Sequence, residues 1–144
     1  LALAMARPSC APLAGSGGES VDAVLLFDTS YSMGGRDGKA TRFDRAKQAA
    51  LAVLDGLPAN STAQVVGVSD RATAAGPLSP RNIDEARRVV RDLPLTALAG
   101  DVLPGLTEAL AGLDRGQGAR KEGYLFSDLQ KSGWDRQAGA VKAK

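Results

Sequence analysis

Residues 21–27 form a short apolar run that ends at Asp28, the pattern of a strand buried on both faces, as parallel strands are. From residue 29 to residue 40 the chain turns polar and glycine-rich, with Gly34, Gly35 and Gly38. A helix is expected next, because Phe43, Ala46, Ala50, Val53, Leu54 and Leu57 recur at three- and four-residue spacing and make one apolar stripe. Thr41 is placed to cap this helix, Asp44 suits its first turn, and Gly56 and Pro58 mark its end. Residues 63–69 read as a second buried strand and residues 72–75 as a short strand at a sheet edge. Ser79 and Pro80 predict the start of a second helix, the serine as cap and the proline in the first helical position, with Ile83, Ala86, Val89, Val90 and Leu93 as its apolar face. Residues 94–100 read as a loop and residues 102–113 as a third helix. Tyr124, Leu125 and Phe126 form the heart of a third buried strand, which ends in a polar turn containing Asp128, and a last helix is expected near Asp135.

Strands alternating with amphipathic helices predict an α/β fold, a mostly parallel central sheet with helices on both faces. In such sheets ligands bind beyond the carboxyl ends of the strands, so the loops after Phe27, Leu93 and Phe126 are where chemistry is expected. Residues 1–20 read as a segment apart from the domain that follows over residues 21–144. Within it, residues 7–20 are rich in Pro, Gly and Ser and read as a flexible linker. The apolar residues 1–6 fall far short of the roughly 20 that span a bilayer. They fit the last turn of a membrane helix, the tail of a signal-peptide apolar region, or the start of a disordered leader.

Composition narrows the chemistry. With 44% hydrophobic and 24% charged residues in 144, the chain is an ordinary globular domain, neither a disordered tail nor a collagen-like fibre. Its 18 Lys and Arg are interleaved with 16 Asp and Glu for a net charge of +2, and only 4% of residues are aromatic. Nucleic-acid binding therefore has neither a basic stripe nor stacking platforms to rest on. There is one cysteine, Cys10, and no histidine, which excludes an internal disulfide, zinc fingers and histidine-based catalysis. Ligation must rely mainly on oxygen.

Asp28, Ser30 and Ser32 follow the first strand as an Asp-x-Ser-x-Ser motif, and Asp128 follows the third. Hard divalent cations prefer oxygen ligands and retain waters, so hydroxyls with water-bridged carboxylates suit them. Here the sequence resembles the von Willebrand factor A (VWA) domain family, whose metal-ion-dependent adhesion site (MIDAS) begins with this motif. The resemblance covers most of the chain from Val21 onward, including residues 42–47 and Ser127, Asp128 and Leu129. Residues 27–34 and 125–134 look most like the bacterial membrane-anchored group related to BatA, the aerotolerance proteins in which transmembrane helices flank the domain.

That resemblance implies a Rossmann-like VWA fold that stops short of its C-terminal strand and helix, preceded by a juxtamembrane segment over residues 1–20. It implies a non-enzymatic, divalent-metal-dependent protein-interaction domain, anchored to a bacterial membrane by flanking helices and facing the extracytoplasmic, periplasmic side. Ser30 and Ser32 would be direct metal ligands, and Asp28 and Asp128 would hold the metal, often through water. The ion would be magnesium, manganese or calcium, and a partner's acidic side chain would complete its shell. The family's usual threonine ligand aligns with Gly100 here. Thr96 reaches the site if its loop folds back, and Asp101 either supplies a carboxylate or caps a helix, the latter being weighted higher.

Other readings stand beside this one. Asp28 to Ser32 also suits a turn whose side chains bond nearby amides. A metal-free scaffold with a degenerate site is one alternative, given Gly100. A magnesium-dependent phosphotransfer enzyme is another, but it needs a second aspartate where Ser30 stands. Arg42, Arg45, Lys47, Arg87, Arg88 and Arg91 read as solvated helix faces. Trp134 reads as a packing anchor, or as a partner contact if exposed.

Overall fold

The computed structural model describes residues 19–68, 72–74, 81–96, 102–115 and 120–128. The elements run β1 (Val21–Asp28), a one-turn 3-10 helix (Tyr31–Gly34), β2 (Arg36–Asp37), β3 (Ala40–Thr41), α1 (Arg42–Asp55), β4 (Thr62–Val68), β5 (Ala72–Ala74), β6 (Arg81–Asn82), α2 (Ile83–Asp92), α3 (Val102–Arg115) and β7 (Arg120–Phe126). Strand β1 lies between β4 and β7 and is parallel to both. The short β5 and β6 run antiparallel along the far side of β4. The expected α/β architecture is present, with its edge strand at residues 72–74.

Alternation along β1 sorts the core into two layers. Val21, Ala23, Leu25 and Phe27 face α1 and α2, packing with Phe43, Ala46, Ala50, Leu54, Ala86 and Val90. Phe27 stacks on Phe126 at 4.8 Å between ring centroids and meets Phe43 edge-on at 6.4 Å. Val24 and Leu26 face the other way, against Val66, Val68 and Ala109. On that side α3 approaches the sheet through two glycines. A Cβ on Gly105 would stand 2.0 Å from Val68 Cγ2, and one on Gly112 would stand 2.1 Å from Gln64 Oε1. Truncating a fully buried residue such as Leu25 to Ala should cost about 2–5 kcal/mol.

Helix α1 begins as its sequence predicts. Thr41 Oγ1 accepts from the Asp44 N–H at 3.0 Å, and the Asp44 carboxylate accepts from the Thr41 N–H at 3.1 Å, a reciprocal cap. Asp44 gains further from the Thr41 hydroxyl, which donates to it at 2.7 Å. Hydrogen bonding from Thr41 therefore holds its pKa below the ordinary 3.8.

Three expectations are corrected. Helix α2 starts at Ile83, later than Ser79 and Pro80 suggest, because Arg81 and Asn82 pair with β4 and the Asn82 side chain caps the helix by accepting from the Glu85 N–H at 2.9 Å. Strand β7 is longer than its apolar heart, and of its residues only Phe126 is buried; among the described residues it is the sheet edge opposite β5. The cationic helix residues are not all solvated. Lys47 Nζ donates to the Arg91 carbonyl oxygen at 2.8 Å and lies 5.0 Å from the centroid of the Phe43 ring. Arg87 bridges Asp55 and Asp84, each at 2.6 Å, and these bonds, Asp55 first, raise its pKa. Residues 1–18, Gly100, Asp101, Trp134 and the last expected helix lie outside the described residues.

Candidate metal-binding site

The loop after β1 is pinned before it turns. The Thr29 N–H and Oγ1 both donate to the Val68 carbonyl oxygen, at 2.8 and 2.9 Å, tying the loop to the end of β4. Thr96, in the segment after α2, donates through its N–H and its hydroxyl to the Thr29 carbonyl oxygen, both at 2.8 Å. The Thr96 hydroxyl thus does reach the first loop, and there it bonds main chain. The Met33 N–H donates to the Ser30 carbonyl oxygen at 3.1 Å, winding the 3-10 turn that places Ser32 beside Ser30.

Asp28 is 7% exposed, and each of its carboxylate oxygens accepts a bond at 2.9 Å. Oδ1 takes the Ser30 N–H, the turn bond that the motif suggests, and Oδ2 takes the Ser127 hydroxyl from the loop after β7. Ser30 Oγ and Ser32 Oγ lie 3.0 Å apart. Asp128, with a side chain 6% exposed, accepts from Arg42 Nη1 at 3.1 Å, and the same nitrogen donates to the Ser32 carbonyl oxygen at 3.4 Å. One hydrogen-bonded network therefore joins Asp28, Ser30, Ser32 and Asp128. Asp101 is outside the described residues.

Two participants were not expected. Ser127 reaches Asp28 across 99 positions of sequence, and Arg42 reaches Asp128 across 86. A serine directly before Asp128 was a faint signal for the first. For the second, the signal was a cation in the opening turn of a helix, where the helix dipole disfavours positive charge.

The donor chemistry fits a hard divalent cation. The available groups are two carboxylates and two hydroxyls, all oxygen, as such ions prefer. Each Ser30 and Ser32 hydroxyl has the other as its partner, and one shared proton leaves lone pairs over for a metal. Among the described residues no three Asp, Glu, His or Cys side chains gather into a site of their own. Hydroxyls would therefore have to supply much of the shell.

A parallel α/β sheet with an Asp-x-Ser-x-Ser loop and a second aspartate converging at its carboxyl edge defines a Rossmann-like domain carrying an oxygen-donor site. The family model for the von Willebrand factor type A domain matches residues 23–131, and the chain belongs to that family. No curated protein matches the sequence. Among solved structures, the PilB minor pilin from Streptococcus sanguinis is similar, with a TM-score of 0.62 and 18% identity over 80% of this chain and 30% of the pilin. BatB from Bacteroides thetaiotaomicron gives a TM-score of 0.60 and 15% identity, over 68% of this chain and 48% of BatB. Proximal thread matrix protein 1 from the mussel byssus, in a structure described as having a zinc-occupied MIDAS motif, gives 0.55 and 17%, over 64% of this chain and 24% of that one. At these identities the likeness is one of fold alone, and this chain spans less than half the length of each.

Proposed function

We propose that this VWA domain binds a divalent cation at the carboxyl edge of its sheet and uses it to capture an acidic side chain of a protein partner. Ser30 and Ser32 would ligate the ion through their hydroxyls, with Asp28 and Asp128 balancing its charge, in part through water. The observation that carries the reading is the Ser30 and Ser32 hydroxyl pair, 3.0 Å apart beside two largely buried aspartates. A shell poor in direct anionic ligands leaves the cation's charge under-neutralised, so an incoming carboxylate gains by completing it.

The role is adhesive and non-enzymatic, and magnesium or manganese is the favoured ion, with calcium next. The phrases around Asp28 and Asp128 support a bacterial, membrane-anchored setting, with the domain on the extracytoplasmic side. Among the described residues no helix is long and apolar enough to cross a membrane. Calorimetric titration of magnesium and manganese into the protein, with Asp28→Ala as control, tests the proposal. Saturable binding that the variant loses supports it. Binding that survives Asp28→Ala would overturn it by putting the ion elsewhere, and no binding by the folded wild type would overturn it in favour of a metal-free scaffold, a reading that the Arg42 and Asp128 ion pair also suits.

A further inference from the structure

Arg42 is the first residue of α1, the wrong end of a helix for a cation. The helix does not need it there, because Thr41 and Asp44 already cap the amides and supply an anion to the first turn. The explanation lies across the site loop. The Arg42 N–H donates to the Gly35 carbonyl oxygen at 3.0 Å, which sets the residue beside the 3-10 turn, and its guanidinium reaches both Asp128 Oδ2 and the Ser32 carbonyl oxygen.

The two ends of this ion pair differ in freedom. The Asp128 side chain is 6% exposed and the Arg42 side chain 34%, so the carboxylate is fixed in the protein while the guanidinium approaches from the solvent side. Of the two, only the arginine has room to swing away. Charge counting gives this a consequence. Among the described residues the site brings together two carboxylates and one guanidinium, a single negative charge between them; a divalent cation turns that into a single positive charge, which one incoming carboxylate neutralises. Without the guanidinium the loaded site would already be neutral, with less to gain from an acidic partner.

We propose that Arg42 is a built-in counter-cation of this site: its guanidinium competes with the divalent cation for Asp128, lowering metal affinity, and leaves the loaded site with the surplus charge that an acidic partner answers. The inference rests on the metal-binding reading above and adds to it a residue that sets the balance between metal and partner.

Magnesium is titrated calorimetrically into wild type, Arg42→Gln, Arg42→Lys and Asp28→Ala. Arg42→Gln should bind magnesium about tenfold more tightly than wild type, since a like charge a few ångströms from an ion weakens its binding by this order or more. Arg42→Lys, which keeps the charge, should stay within about threefold of wild type. In saturating magnesium, a short peptide with one aspartate among glycines and serines should bind Arg42→Gln more weakly than wild type. Opposite signs for metal and peptide are a signature that a purely structural role would not produce. Without metal, Arg42→Gln should unfold at a lower temperature than wild type, and magnesium should raise its Tm by more. Arg42→Met is the second variant, with the same expectation, should the glutamine variant fail to fold.

Weaker or unchanged magnesium binding in Arg42→Gln, with Asp28→Ala still abolishing it, would overturn this inference and leave the metal site standing. Magnesium binding by Arg42→Gln but not by wild type would support it in its strongest form. If the peptide bound both proteins equally, the charge surplus would be refuted. Wild-type binding that survives Asp28→Ala would remove the metal-site reading itself, and this inference with it.

Discussion

Asp22 and Asp28 sit near opposite ends of β1 and are almost equally hidden, at 9% and 7% exposure. At the amino end, Asp22 accepts from the hydroxyl of Thr62, its direct partner in the β4 register, at 2.5 Å. Beside it the Val21 N–H donates to Ser61 Oγ at 3.0 Å. These two partners belong to β4 and the residue just before it. At the carboxyl end the strands have parted, and Asp28 is held by groups from two diverging loops, next to a pair of hydroxyls bonded to each other and an arginine from a third segment. A buried carboxylate is therefore not in itself a site. What separates the two ends is that Asp22 meets a side chain of the neighbouring strand, whereas Asp28 meets loops that also bring up a pair of hydroxyls with lone pairs to spare.

The same substitution at both ends should break this symmetry most visibly. Asp28→Asn should lower magnesium affinity by about 100-fold or more, while Asp22→Asn should leave it within about twofold, both read by calorimetry. Equal losses at the two positions would mean that general stability, rather than local ligation, controls binding. Next in size is the structural cost at the amino end. Asp22→Ala leaves the Thr62 hydroxyl without this acceptor and should destabilise the fold by about 1–3 kcal/mol, seen as a lower denaturant midpoint with unchanged slope.

A smaller effect should appear where α1 meets the site. Thr41→Ala removes the cap and should cost about 1 kcal/mol, with faster amide exchange in the first turn of α1 and none of that increase at Val21 or Thr62. The smallest is a pH effect on the same turn. Bonds from Thr41 depress the Asp44 pKa below 3.8, so the stability it adds is complete above the ordinary carboxylate range and is lost as pH falls through the lower, folded value. Protection of the Asp44 amide, relative to its intrinsic exchange rate at each pH, should fall only in that acid window, and a loss of protection near neutral pH would contradict the assignment.

The same contrast explains what the sequence made legible. Strand β1 announces itself because it is buried on both sides, and α1 because its cap is local and its stripe regular. The first residues of β7 are polar and, among the described residues, nothing pairs with the strand's outer side, so only residues 124–126 stood out. The hairpin of β2 and β3 went unread although Gly38, at φ +82°, stands in its two-residue turn at a place where such turns favour glycine. Asp28, Ser30, Ser32 and Asp128 were readable because each lies at the carboxyl end of a strand or a few residues beyond it. Arg42 and Ser127 were not, since each acts on a residue far away in sequence, and the local signals, a cation in the first turn of a helix and a serine before Asp128, do not name that residue.

The position of β1 has a mechanical side. The strand is hydrogen-bonded in parallel register to β4 over Asp22 to Asp28 and to β7 over Val21 to Phe27, and it ends in the residues that would hold a partner. A pull on the bound partner along the strand axis would load both ladders in shear, with all their bonds resisting together instead of opening one after another. Tension would thus be met along the stiffest direction the sheet offers, from Asp28 back to the end held by Ser61.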